Sequence, residues 1–497
     1  MDQLSEKELN NRTCLQCKKL RQTNMKYCRD CHLKNCERKY GKCFECKQIN
    51  TGKNWCHTCN SKRFQQNFDN WTSGNDDIDK LIQNAQLSAE NHYQVLEWIS
   101  FNRFNKPKYI AEGGFGKVYK ASWKDGHITH WDTAYSQWSR RRESGSFVAL
   151  KSLNNSQNIK LEFINEIVLH LKIHEYKMTD QIIKCYGITQ EPNTKDYIMV
   201  MNYAVRGNLQ NSLNNQKKKF LKQQQRYNFS NLELGLRLWR YKFNVLKNIS
   251  SGLRRIHVNE LIHRDLHIGN IVCNYNSPSI TDMGLCKPAN YSELESAENQ
   301  IYGVLAYLAP EILRGNDYTK ASDVYSFGII MYVVISELLP YHDNAHNEFL
   351  ALNICEGLRP EFNIKVPQLI LHLIKRCLDA DPSNRPNAKE LTRILDKWLI
   401  DFSMYISDPE SIKTELISQV EETEKINSNL LAKDSSLRNK IHPEAIYKSS
   451  PINFDNLPEP KNSDGYYEIY DNISTKRYTD NLLKPGNSDC LECAIVD

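Results

Sequence analysis

No run in this sequence is long and apolar enough to suggest a membrane span. The longest charge-free apolar stretch, Tyr325 to Ser336, falls well short of the ~20 residues a helix needs to cross a bilayer. The N-terminal MDQLSEKELNNR is polar and holds no apolar core of the kind that directs secretion. A cytoplasmic or nuclear setting is therefore expected, and in that reducing environment clustered thiols bind metal more readily than they form disulfides. Residues 1–65 also lack aliphatic runs, so burial alone cannot hold that segment together.

The chain has 497 residues, 40% hydrophobic and 25% charged, a composition that suits about two to three folded domains. Its net charge of +6 is small, but residues 1–70 hold 15 Lys/Arg against 7 Asp/Glu. The basic excess therefore belongs to the N-terminal segment. It reads first as a solvated surface, and second as attraction to nucleic acid or an acidic partner. Four regions follow from composition: a Cys- and Lys-rich module over 1–65, an Asn/Asp/Gln/Ser-rich linker over 66–91, a large α+β domain over 92–403, and a tail over 404–497. The tail reads as mostly disordered, apart from one short helix near Thr414–Leu431. Two polar insertions interrupt the large domain. Residues 122–146 suggest an elongated hairpin; residues 211–231, with QKKKFLKQQQR, suggest a solvated loop or the start of a basic helix.

Nine of the 16 cysteines lie between Cys14 and Cys59. Eight form C-x2-C pairs: Cys14 and Cys17, Cys28 and Cys31, then Cys43 and Cys46, Cys56 and Cys59. The second four repeat the spacing of the first, as an internal duplication would. A C-x2-C turn points two thiolates at one place, and two such turns supply the tetrahedral sulphur shell that Zn2+ accepts. Metal binding would then be required for this segment to fold. Spacing does not decide between sequential and interleaved pairing of the turns. Cys36, His32 and His57 lie nearby and read as non-ligands. A protein partner is favoured over nucleic acid for this module, because it offers few aromatics for base stacking.

Five motifs occur in order along the large domain: IAEGGFGKVY (Ile110–Tyr119), VALK (Val148–Lys151), HRDLHIGN (His263–Asn270), Asp282-Met283-Gly284 and Ala309-Pro310-Glu311. A helix with apolar spacing through Val245, Ile249, Leu253 and Ile256 precedes the third. Together they resemble the eukaryotic protein kinase family across roughly residues 105–400. The resemblance implies a bilobal fold, with a β-rich N-lobe and an α-helical C-lobe, and ATP with Mg2+ as cofactors. Gly113, Gly114 and Gly116 would let the backbone approach phosphates, with Phe115 at the loop tip and Val118 on the adenine. Lys151 would neutralise the α- and β-phosphates and pair with Glu166. Asp265 would accept the proton of the substrate hydroxyl, and Asn270 and Asp282 would hold magnesium. Met201 falls at the gatekeeper position, with Asn202 and Ala204 offering backbone to adenine. Glu311 would pair with Arg385, and Asp323 would brace the catalytic loop.

The sequence departs from the family pattern at several positions. Ala111 replaces the first glycine of the phosphate loop, and Met283 replaces phenylalanine in the metal-binding triplet. His267 stands where serine/threonine-specific members carry lysine, and Val304 stands in place of its partner threonine. The GNL after the hinge, HRDLH and SDVYSFG most resemble the tyrosine-kinase-like branch, whose members are mainly serine/threonine kinases. Transfer to protein serine or threonine in signal transduction is thus favoured, and tyrosine or dual specificity stays open. The alternative is a pseudokinase scaffold that uses the zinc module as an interaction surface. Tyr291, Ser292, Ser296 and Tyr302 offer hydroxyls in the activation segment.

Overall fold

A computed structural model describes residues 14, 16–17, 19, 28–112, 116–142, 147–153, 161–173, 181–274, 277–289, 301–410, 413–431, 441–454, 456–464 and 466. Gly113, Gly114 and Phe115 of the glycine-rich loop, and Tyr291, Ser292 and Ser296, lie outside them. Among the described residues no helix is long and apolar enough to cross a membrane.

Among the described residues the N-lobe has eight strands: β1 (Glu97–Trp98), β2 (Phe104–Glu112), β3 (Gly116–Trp123), β4 (His127–Asp132), β5 (Gln137–Arg141), β6 (Phe147–Leu153), β7 (Cys185–Gln190) and β8 (Tyr197–Asn202). Six of them form one sheet in the order β1-β7-β8-β6-β3-β2, antiparallel except for the β1–β7 pair. In β6, Val148 and Leu150 are buried on one face, as alternation in a half-buried strand requires. They pack with Ile198 and Val200 of β8. The other face meets the helix Leu161–Ile173 through Phe163 and Ile167.

The hairpin expected over residues 122–146 is present as β4 and β5, with Trp131 opposite Trp138. It joins the lobe to the cysteine-rich module. Trp138 stacks on Phe64 and Trp55, with ring centroids 4.5 and 5.8 Å apart. Trp55 is fully buried and donates from Nε1 to the carbonyl of Ala89 at 3.0 Å.

The segment 66–91 is not a linker. Asp76–Ser88 is a helix, capped by the Asn75 side chain, which accepts from the amides of Asp77 and Ile78. Its Ile78, Ile82 and Ala85 enter the same core as Phe163 and Ile167. Gln86 donates to the Leu96 carbonyl at 2.9 Å, and Tyr197 of β8 donates to the Ser73 carbonyl at 2.9 Å. The physical reason is the i, i+4, i+7 apolar row in DDIDKLIQNAQLS, which the polar composition around it obscures.

The C-lobe core centres on the helix Asn231–Val258, which opens with a capping box between Ser230 and Glu233. Val245, Ile249, Leu253 and Ile256 are all buried in it, as their spacing predicts. The helix Ala388–Ser407 packs alongside, placing Trp398 and Phe402 against Phe243 at centroid distances of 5.6 and 5.1 Å. Most of the 211–231 insertion continues a helix, Leu209–Tyr227, anchored by Leu209, Leu213 and the Lys217–Glu337 ion pair at 2.5 Å.

In the tail, the short helix expected near Thr414–Leu431 is present, while the segment after it departs from the disordered reading. The helix Glu415–Leu431 buries Leu416, Ile417 and Val420, and Trp239 donates to its Glu424 at 2.7 Å. Residues 441–454 and 456–464 run as an extended strap over the C-lobe and bury Ile452 and Leu457 in its core. Strap residues Ser450–Ile452 pair antiparallel with Ile301–Gly303 of the activation segment. Residues 467–497 lie outside the described residues.

Candidate active site

The site lies where the two lobes meet. Lys151 sits on β6, opposite Val118 of β3 and Met199 of β8. The sheet fixes its backbone, and its Nζ reaches Glu166 Oε1 at 2.7 Å and Asp282 Oδ1 at 2.8 Å. Glu166 is presented by the helix Leu161–Ile173 and is 2% exposed. Burial penalises the Lys151 ammonium, but the charges of Asp282 and Glu166 outweigh that penalty and hold its pKa above the ordinary lysine value. Burial raises the Glu166 carboxyl, with the charge of Asp282 adding to the effect. At Asp282 burial also favours the neutral acid, yet the nearby Lys151 prevails and the pKa is lowered.

Asp265 and Asn270 come from the loop after the strand Leu261–Ile262, and both are buried. Asn270 donates from Nδ2 to the Asp265 carbonyl at 2.9 Å and to its Oδ2 at 3.0 Å. Asn270 therefore has its amide oxygen, not its nitrogen, to offer a cation. The Thr281 amide donates to the Asn270 carbonyl at 2.9 Å, which ties this loop to the Asp282 segment.

Two non-glycine residues here have positive φ: Arg264 at 71° and Asp282 at 62°. Such backbone costs about 1–3 kcal/mol per residue and persists only where its surroundings enforce it. The enforcing group at Arg264 is Asp323, from the helix Lys320–Ser336. It accepts the amides of His263 at 2.8 Å and Arg264 at 3.0 Å, and His257 Nε2 lies 2.9 Å away.

Glu311 and Arg385 form a buried, two-pronged ion pair at 2.6 and 2.8 Å beneath the activation segment. Removing one partner of a buried pair costs about 3–5 kcal/mol, because the other charge is left without its counterion. Glu311→Ala is expected to lower stability by that amount in urea unfolding; a loss under ~1 kcal/mol, the range of an exposed pair, would contradict it.

Sequence reasoning missed one participant. Ser449, on the strap, donates from Oγ to Asp265 Oδ2 at 2.8 Å and Oδ1 at 3.0 Å, and lies 3.3 Å from His267 Nε2. Burial would raise the Asp265 carboxyl, but the bonds to His267 and Ser449 help hold it below the usual carboxylate range. His267 is held by its Nδ1, which accepts the Gly269 amide at 3.2 Å. A Cβ on Gly269 would lie 2.6 Å from the His267 ring, so glycine there is required by close approach. Val304 and Met283 are buried in the C-lobe core.

Of the adenine-side residues, Met201 is buried at the end of β8. The Asn202 amide is spent on the Lys184 carbonyl at 2.9 Å, and the Ala204 carbonyl accepts from Gly207 at 3.1 Å. Gly116 and Val118 lie on β3, where Val118 is the register partner of Lys151.

With this geometry in place, residues 104–395 match the family of protein tyrosine and serine/threonine kinases. The chain belongs to the protein kinase family. It is 26% identical over 64% of its length to a probable serine/threonine-protein kinase of Dictyostelium discoideum, covering 16% of that protein. A G-type lectin S-receptor-like serine/threonine-protein kinase of Arabidopsis thaliana is 25% identical over 64% of this chain and 38% of its own length. An RGS domain-containing serine/threonine-protein kinase of Dictyostelium discoideum is 26% identical over 64% of this chain and 24% of its own length. The match thus spans well under half of each of these relatives.

Outside the kinase domain, the cysteines form two separate groups, Cys14, Cys17, Cys28 and Cys31, and Cys43, Cys46, Cys56 and Cys59. Within each group the sulphurs lie within 4.8 Å of one another, so the turns pair sequentially. Individual separations are 3.5 Å for Cys17–Cys28, 3.5 Å for Cys46–Cys56 and 3.9 Å for Cys43–Cys59. A tetrahedron with Zn–S bonds of about 2.3 Å has edges of about 3.8 Å, so the donor set fits zinc. None of the described cysteines is in a disulfide. His32 and His57 lie outside both groups, His57 against the Ala89 carbonyl at 3.2 Å.

Proposed function

We propose that this chain is an ATP- and magnesium-dependent protein kinase of the tyrosine-kinase-like branch that phosphorylates serine or threonine. The observation that carries this reading is Lys151 Nζ held 2.7 and 2.8 Å from Glu166 and Asp282, with Asn270 3.0 Å from Asp265 on the loop that the Thr281 amide ties to the Asp282 segment. A scaffold relieved of catalysis has no need to keep these five groups converged. Phosphoryl transfer is mostly positioning and charge stabilisation. In this reading Lys151 meets the α- and β-phosphates, and Val118, Met201, the Asn202 carbonyl and the Ala204 amide seat the adenine. Asn270 and Asp282 would hold magnesium, which neutralises charge on the transferring phosphate. Asp265 orients the acceptor hydroxyl and takes its proton.

Serine or threonine specificity is supported by the relatives' names and by the reach of the acceptor. A strand paired to residues 301–303 brings a one-carbon side chain to Asp265. A tyrosine, several ångströms longer, would need its backbone displaced out of that pairing. Phosphate transfer from γ-labelled ATP to a serine-containing peptide tests the reading; magnesium-independent or absent transfer would overturn it.

We further propose that the two cysteine groups each hold one structural zinc, and that the module recruits a protein partner. A kinase joined to such a module fits a place in signal transduction. Structural zinc supplies about 10–16 kcal/mol of folding free energy in isolated fingers, so chelation should strip protection from this segment. Expected are two zinc ions per chain by elemental analysis, and loss of hydrogen-exchange protection at residues 43–59 on chelation. Unchanged protection would contradict a structural metal.

A further inference from the structure

The strap places a hydroxyl of this chain at its own catalytic carboxylate. We propose that Ser449 is phosphorylated in cis, with Asp265 of the same molecule as its general base, an inference that rests on the kinase reading above. The acceptor geometry is complete. Ser449 Oγ lies 2.8 Å from Asp265 Oδ2, within the range a general base needs. The same Oδ2 is fixed from the other side by Asn270 at 3.0 Å. The strap backbone is held as a substrate strand would be: Gly303 faces Ser450, Tyr302 faces Pro451 and Ile301 faces Ile452. Tyr302 also donates from its hydroxyl to the Ser449 carbonyl at 3.3 Å. Backbone pairing of this kind binds an extended peptide with little regard to its side chains, and pockets for alternate residues supply selectivity.

The anchors on either side fix which residue reaches the carboxylate. Before Ser449, Tyr447 donates to the Pro340 carbonyl at 2.9 Å, and its ring meets His346 edge-on at 4.8 Å. After it, Ile452 and Leu457 are buried in the C-lobe core. Arg314 then donates from Nη1 and Nη2 to Glu459 at 2.7 and 2.5 Å. The Asn462 side chain accepts the Ala380 amide at 2.9 Å. A strap pinned at both ends cannot slip by one residue, since a slip would turn Ile452 out of its pocket. The neighbouring Ser450 is therefore not an equivalent acceptor.

The step balances with a nucleoside triphosphate as the phosphoryl donor. Ser449 Oγ forms a bond to the γ-phosphorus, and the bond from that phosphorus to the β,γ-bridging oxygen breaks. The diphosphate leaves with the bonding electron pair, and the hydroxyl proton passes to Asp265. The product, a phosphate of about −1.5 to −2 charge beside a carboxylate, is repelled from the site. Transfer therefore expels the strap and opens the groove to other substrates, whose pattern the strap anticipates: serine, with an apolar residue three positions on.

The test uses the full chain with magnesium and γ-labelled ATP, an external serine peptide in the same tube, and fragment mass spectrometry that separates Ser449 from Ser450. Label is expected at Ser449. Because a tethered acceptor has a fixed effective concentration, the rate per chain should not change over about a hundredfold dilution. An Asp265→Asn chain mixed with the wild type should stay unlabelled at Ser449. Ile452→Asp should lose Ser449 labelling while labelling of the external peptide rises, because the anchor is gone and the groove is vacated. Label on the external peptide with none at Ser449, label at Ser450 instead, or labelling of the Asp265→Asn chain in trans would each overturn the inference and leave the kinase reading intact. Label nowhere would overturn both.

Discussion

Asp265→Asn is expected to leave nucleotide binding unchanged and to slow phosphoryl transfer by about 10²–10⁴-fold, the range that a positioned general base contributes. Asparagine preserves the volume and a hydrogen-bonding atom toward the acceptor hydroxyl. It cannot take the proton, and it removes the charge that Asn270 and His267 now face. The loss should therefore fall on kcat and not on the affinity for nucleotide. Initial rates at saturating ATP, paired with nucleotide titration of the same preparation, separate the two. A variant within a factor of about three of the wild type would fall far below what loss of a general base costs and would remove Asp265 from the chemistry.

Lys151→Met should do more damage to the fold than any surface change. Lys151 is the cation between Glu166 and Asp282, whose side chains are 1% and 24% exposed. Its removal leaves two carboxylates close together in a setting that penalises charge, at a cost of about 3–5 kcal/mol. The sign of the pH dependence follows from the carboxyls. With Lys151 gone, Asp282 loses the partner that lowers its pKa, and Glu166 is already raised. Acids whose folded-state pKa exceeds the unfolded value bind protons on folding, so the variant should regain stability as pH falls from neutral toward the carboxylate range. Urea unfolding at pH 7 and pH 5 would show the gap to wild type narrowing at the lower pH. A gap that widens would mean the two carboxylates are not held by Lys151. Activity should be lost with the fold intact at pH 5, because a methionine in place of Lys151 offers no charge to a phosphate.

Much of this centre is legible in the sequence because its parts are local and ordered. HRDLHIGN holds Asp265 and Asn270 on one loop, and their 3.0 Å contact needs only five residues of chain. Lys151 and Glu166 are 15 residues apart and meet because a strand is followed by a helix with apolar spacing. The apolar rows of Asn231–Val258 give the C-lobe helix directly. Other elements were hidden by composition. In Asp76–Ser88, three apolar residues on one face are outnumbered by Asn, Asp and Gln, so average polarity suggests a linker while periodicity suggests a helix. The strap is harder still. Tyr447, Ile452, Phe454 and Leu457 follow neither a two-residue nor a 3.6-residue repeat, yet all four pack against the C-lobe core, and Tyr447 reaches the Pro340 carbonyl 107 positions away. Its pairing with residues 301–303 is β-augmentation within one chain, and the strand it adds to carries no signal for a partner. Ser449 is invisible for the same reason: only the fold brings it to Asp265.

The most direct measurement of the central claim is phosphoamino-acid analysis after incubating the full chain with γ-labelled ATP, magnesium and a mixed protein substrate. Phosphoserine, with or without phosphothreonine, is the expected product, and it should disappear with Asp265→Asn. Phosphotyrosine alone would contradict the short-side-chain acceptor site, and no phosphoamino acid at all would contradict the assignment of a working kinase.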